Sequence, residues 1–173
     1  MITLDDLKKI CPTTPMAMLM PFVEPLNDAM MEFSIDTVER ETMFLAQIAH
    51  ESGAFNYVKE LASGEAYEGR KDLGNTEHGD GVRYKGRGLI QCTGRLVYKQ
   101  LSDYFGVDFI AQPELLETPE YAARSAGWFW DSRKLNAIAD KGDFLLLTKR
   151  INGGTNGYAD RQAYLQRAQG VIV

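Results

Sequence analysis

Apolar residues at helical spacing open the chain. Leu4, Leu7 and Ile10 follow Thr3 and Asp6, which read as a helix start, and Cys11-Pro12 ends the segment. Pro15, Pro21 and Pro25 then punctuate a Met-rich stretch. Proline is tolerated in a first helical turn, so a helix from about Pro21 through Phe33 fits here. Met16, Met18, Met20, Met30 and Met31 read as gap-filling core. Asp36-Thr37-Val38-Glu39 reads as a capping box. In the helix behind it Val38, Thr42, Leu45 and Ala49 share a face, with Phe44 and Ile48 beside them, and nothing interrupts the pattern before Gly53.

From 53 to 90 the pattern changes. Glycines fall among polar and aromatic residues, too polar for a long helix, so the expectation is loop and short strand. The aromatics Phe55, Tyr57, Tyr67 and Tyr84 argue against disorder. Helical spacing returns with Thr93 as the expected start, Leu96, Val97, Leu101 and Phe105 on the buried side, and Gly106 as the stop. Pro113 opens a turn, and Thr118-Pro119 opens a helix from Glu120 to about Ser132. Trp128 and Trp130 on that helix read as core. Leu135 to Ala139 and Phe144 to Ile151 are short helical pieces, the second broken by Asn152-Gly153-Gly154. A final helix runs from about Asp160 to Gly170. The fold class is mainly α (α+β), a single domain over 1-173 with a small Gly-rich β/loop insertion and no interdomain linker.

Composition narrows the function. The 173 residues are 45% hydrophobic, enough for one sizeable core. A net charge of -5 argues against nucleic acid as a partner. Cys11 and Cys92 are far apart and read as free thiols of a reducing compartment. The chain opens without a secretory pattern and has no apolar run long enough for membrane insertion, so a cytoplasmic protein is expected.

Two carboxylates carry the candidate chemistry. Glu51 ends the apolar helix, and Glu60 lies nine residues on in the polar region. Glycosidic cleavage commonly uses one protonated and one ionised carboxyl, roughly 5 to 9.5 Å apart. A continuous helix would separate the two by roughly 13 Å on opposite faces, so the chain must leave the helix after Glu51, and Ser52-Gly53 is where it can. A glutamate near a helix end is usually only solvated, and Glu65, Glu68, Glu77 and Asp80 compete with Glu60 for the second role. With His50 and His78 as the only histidines and no clustered cysteine, no metal site or cofactor is expected. Gly86 and Gly88 read as conformational glycines, because no phosphate-loop Lys-Ser/Thr follows them. Arg83, Lys85, Arg87 and Arg95 read either as a solvated face or as a basic patch for an anionic partner.

Several segments occur in a set order: FLAQIAHESGAF (44 to 55), YKGRGLIQCTGRLVY (84 to 98), AGWFW (126 to 130), RINGG (150 to 154), then Arg161 and Tyr164. This set resembles glycoside hydrolase family 19, the chitinase-like enzymes with a lysozyme-type fold. It is most similar to the compact members that serve as bacteriophage or prophage endolysins. The match runs from about Thr37 to Tyr164. The resemblance implies Glu51 as general acid, Glu60 as general base, and Thr93 as the hydroxyl that holds the attacking water. Gln91 and Asn152 are implied to contact sugar, and Arg161 to buttress the acidic pair. Thr93 also reads as the N-cap of the following helix, and both roles are compatible. The family inverts the anomeric centre. The cysteines and cleft-extending loops of the secreted plant chitinases are missing here, which favours peptidoglycan over chitin.

The expectation is therefore a monomeric endolysin hydrolysing the β-1,4 bonds of the bacterial peptidoglycan glycan strand. It would be held in the host cytoplasm and reach the periplasmic wall after a separate membrane-permeabilising protein opens the way. The alternatives are a chitinase acting on β-1,4 GlcNAc polymers and a non-catalytic glycan-binding homologue.

Overall fold

The computed structural model describes residues 1–173. Its first helix, α1 (Leu4–Ile10), starts at a complete capping box in which Thr3 and Asp6 satisfy each other's backbone N–H. Helical structure resumes earlier than expected, at α2 (Met16–Leu19), and passes through a 3-10 turn into α3 (Val23–Glu32). Pro25 falls in the first turn of α3, where its missing N–H has no helical partner to lose. Of the five methionines read as core, only Met30 is buried. Met16 and Met18 are exposed, and Met20 and Met31 remain 59% and 77% accessible.

α4 (Val38–Glu51) is the central element. Its N-cap is Thr37, whose side chain accepts from Arg40 N–H, so the expected box is shifted by one residue. Arg40 sits where a box glutamate would and instead bridges Asp36 and Asp140. The stretch Thr42 to Ala49 is buried without interruption, while Val38 at the exposed start is not part of the core face. Phe44 packs edge-on against Trp130 at 5.4 Å.

The glycine-rich region contains two 3-10 turns, Glu65–Tyr67 and Lys71–Leu73, and the short α5 (Asp80–Arg83). The expected β content reduces to two isolated antiparallel bridges, Lys59 with Arg87 and Arg87 with Cys92. α6 (Arg95–Phe105) starts after Gly94, not at Thr93, and Leu96 is exposed. Gly106 ends it in the left-handed region, as read. α7 (Pro119–Ser132), capped by Thr118, packs against α3, and its Trp130 is fully buried. α8 (Leu135–Ala139) and α9 (Phe144–Asn152) lead to α10 (Tyr158–Gln169), which lies along α4. Cys11 and Cys92 are free and buried. No helix is long and apolar enough to cross a membrane.

Candidate active site

Glu51 is the last residue of α4. Its Oε1 stands 2.6 Å from Arg161 Nη2 of α10. Arg161 is 1% exposed, and every arm of its guanidinium is used. One nitrogen donates to Gln47 Oε1 and another to the Asn156 carbonyl, and Gln47 in turn donates to Thr148. Asn152 is exposed; its Oδ1 accepts from Asn156 N–H and so braces the loop that holds Arg161. Gln47, one helical turn before Glu51, escaped the sequence reading because a glutamine in an apolar helix signals nothing about its partner. His50 faces α10 as well. Its Nδ1 is 2.7 Å from Asp160 Oδ2, and its ring leaves no space for a Cβ at Gly157, whose φ is +68°.

Beyond Glu51 the chain turns at once. Ser52 Oγ donates to the Ile48 carbonyl and accepts from Phe55 N–H. Gly53, Ala54 and Phe55 all adopt left-handed backbone, with φ of +57°, +57° and +66°. Two of these residues carry side chains that disfavour this region, so surrounding contacts must impose it. Thr14 Oγ1 donates to the Ala54 carbonyl, and Phe22 packs on Phe55 at 5.3 Å. The helix thus ends where two catalytic carboxyls would need it to end.

Glu60 is partly buried and held from both sides. Its Oε1 accepts from the Tyr67 hydroxyl at 3.0 Å, and its Oε2 from Gly86 N–H at 2.7 Å. Its own N–H donates to the Gly86 carbonyl. Gln91 reaches the same glycine, its Oε1 3.0 Å from where a Gly86 Cβ would stand. Gln91 is itself left-handed, with φ of +58°, and its side-chain amide donates to the Gly88 carbonyl. The Thr93 hydroxyl donates to the Gln91 carbonyl at 2.9 Å. It caps no helix: the first N–H of α6, at Arg95, is taken by Asn75 Oδ1.

The named residues therefore form two groups. Glu51, Arg161 and Asn152 lie in one, and Glu60, Gln91 and Thr93 in the other. No hydrogen bond or ion pair joins them.

Of the competing carboxylates, Glu68, Asp80 and Glu77 are occupied, while Glu65 is exposed and its carboxyl makes no hydrogen bond or ion pair. Glu68 accepts from Gly79 and Gly81 N–H, which hold its carboxyl below the usual range. Asp80 is gripped by Arg95 through both oxygens and is lowered for that reason, and Glu77 takes the same guanidinium. The basic cluster is not a free patch. Arg87 and Arg95 are neutralised by Glu117 and by Asp80 with Glu77, while Arg83 and Lys85 are tied to the carbonyls of Ile110 and Ala62. No group of three or more His, Cys, Asp or Glu could hold a metal ion. Cavities of about 500 and 630 Å³ lie elsewhere and include neither Glu51 nor Glu60.

No protein-family model matches the chain. A glycosyl hydrolase family 19 domain-containing protein of Haemophilus influenzae is 30% identical over 153 residues, covering 70% of this chain and 74% of that protein. An endochitinase of Arabidopsis thaliana is 34% identical over 111 residues, 64% of this chain, which spans only 38% of the plant protein. Chitinase C from Streptomyces griseus superposes with a TM-score of 0.79 at 21% identity, over 99% of this chain and 92% of that one. A second bacterial family 19 chitinase gives 0.79 at 19% identity. At these identities the two structures establish the fold, the lysozyme-like one the sequence resemblance implied. The identity to the Haemophilus protein, sustained across most of its length, settles the relationship: this chain belongs to glycoside hydrolase family 19.

Proposed function

We propose that this chain hydrolyses β-1,4 glycosidic bonds of bacterial peptidoglycan as an endolysin-type, inverting hydrolase. The observation that carries this reading is the separate bracing of two carboxylates, Glu51 on buried Arg161 and Glu60 on Tyr67 and Gly86. An inverting pair faces across a bound sugar and a water, so its members need independent supports rather than contact with each other. Glu51 gives its proton to the leaving oxygen as that bond breaks. Glu60 takes a proton from the water that bonds to the anomeric carbon from the other face, with Thr93 holding that water. Arg161, 2.6 Å from Oε1, stands where it can pair with the carboxylate left on Glu51 after transfer. Gln91 and Asn152 contact the sugar. In this reading the chain is one catalytic domain and works as a monomer. It reaches the periplasmic wall from the host cytoplasm once a separate protein has permeabilised the membrane.

The two cysteines are free and buried, without the disulfides of the secreted plant chitinases, which supports peptidoglycan over chitin. A chitinase is the second reading. It is favoured by structural neighbours described as chitinases, one of them matched over 92% of its length. Turbidity clearing of purified sacculi is expected to exceed cleavage of soluble chitin oligomers, and the reverse preference would establish the chitinase. Glu51→Gln is expected to abolish turnover of either substrate. It replaces the carboxyl that faces buried Arg161 with an amide, which perturbs that contact by about 1–2 kcal/mol, so thermal melting must accompany the assay. Unchanged lysis by Glu51→Gln would remove the acid assignment. Binding of glycan without turnover by the unaltered chain would leave a glycan-binding homologue.

A further inference from the structure

The best-built feature outside the two carboxylates is the loop from Gly64 to Gly81. Its 3-10 turn Glu65–Tyr67 lies between left-handed glycines, Gly64 with φ of +89° and Gly69 with φ of +67°. Gly64 comes so close to the opposite limb that an added Cβ would stand 2.5 Å from the Gly81 carbonyl oxygen. Glu68 closes the loop by accepting from Gly79 N–H at 2.7 Å and Gly81 N–H at 2.9 Å. Fully buried Asn75 donates to the Tyr67 carbonyl at 2.9 Å and accepts from Arg95 N–H at 2.8 Å, which ties the turn to the start of α6. What this framework delivers to Glu60 is one hydroxyl, that of Tyr67 on Oε1.

We infer that Tyr67 is a positioning residue for Glu60, its hydroxyl and the Gly86 N–H together fixing the plane of the carboxylate. The inference rests on Glu60 being the base proposed above. No cation pairs with Glu60. Nearby Arg70 is engaged by Asp72, Lys85 Nζ reaches the Ala62 carbonyl, and Lys59 faces Glu117 at 3.8 Å. Both hydrogen bonds on Glu60 therefore come from uncharged donors. Such donors orient a carboxylate while leaving its charge, and one lone pair on each oxygen remains for water. Burial pushes the Tyr67 hydroxyl up, with the Glu60 carboxylate adding to the effect, so the phenol stays protonated and remains a donor across the neutral range.

Tyr67→Phe removes only the hydroxyl. On the substrate that the unaltered chain cleaves, kcat is expected to fall about tenfold or more with KM within about twofold, since the lost contact bears on the reacting group rather than on binding. A hydrogen bond to an ionised carboxylate favours the ionised form, so its loss moves the acidic limb of the pH–rate profile to higher pH. A second readout needs no substrate: the carbon-13 shift of the Glu60 side-chain carboxyl should titrate at higher pH in Tyr67→Phe than in the unaltered chain. An unmoved Glu60 titration overturns the inference whatever the enzyme acts on. So does an unmoved acidic limb together with an unchanged kcat. Full activity in Glu60→Gln would instead overturn the base assignment, and with it the catalytic consequence of Tyr67, while the titration still tests the contact itself.

Discussion

At Gly86 the atoms nearest to where a Cβ would stand are Glu60 Oε2, at 2.9 Å, and Gln91 Oε1, at 3.0 Å. Both are ends of side chains, so an alanine could be accommodated, but only by moving the two groups that matter. Gly86→Ala is therefore expected to leave melting within about 1 kcal/mol of stability while activity drops about 10- to 100-fold, the scale set by misplacing a reacting group by an ångström. Parallel melting and turnover measurements check this, and equal loss in both would make Gly86 a folding glycine only. Gln91 fits the same picture, because a non-glycine residue held left-handed is strained and persists where its surroundings impose it. In sequence, the glycines of GRGLIQ signalled special backbone without saying what they approached. Tyr67 signalled order in the region but not its partner, since the contact that matters depends on how a loop of eighteen residues folds back.

At the scale of elements, α3 and α7 meet at Gly127, where an added Cβ would stand 2.3 Å from the Phe33 ring. Phe33 is only 5% exposed and cannot swing clear. Gly127→Ala would gain about 0.5–1 kcal/mol of helix propensity but overpack the crossing, with a net loss of about 1–3 kcal/mol expected in denaturant unfolding. Stabilisation would show that the two helices can part. Helices whose caps are local were legible: Thr3 for α1 and Thr118 for α7 were found from their side chains. α6 was misread because its cap is remote. Asn75, twenty residues earlier, supplies the acceptor, and Gly94 is required because a Cβ there would meet the Leu73 carbonyl at 2.6 Å. The methionines were misread for a related reason: an apolar side chain states a preference for burial, not which face a proline-broken helix will turn inward.

Across the whole molecule, acid should weaken the region that carries Tyr67. Asp80 and Glu68 are both held below their ordinary values, the first by Arg95 and the second by two backbone N–H groups. A carboxylate lowered in the folded state contributes stability above its unfolded value, near pH 4, and that contribution is lost as pH falls through the folded value. Melting temperature is therefore expected to drop below about pH 4, and less steeply in Asp80→Asn, which has no such proton to take up. Equal acid sensitivity in the variant would place the titrating groups elsewhere. Two motifs in sequence, HESG and RINGG, each of modest weight alone, marked the ends of one assembly, but only the fold shows that they meet through Arg161 and the Asn156 loop. That meeting has a temporal side. Glu51 leaves the ribosome well before α10 is translated, and until then its partner does not exist. A nascent or prematurely terminated chain holds the proposed acid without its guanidinium, so the catalytic machinery comes together only after synthesis of nearly everything that supports it.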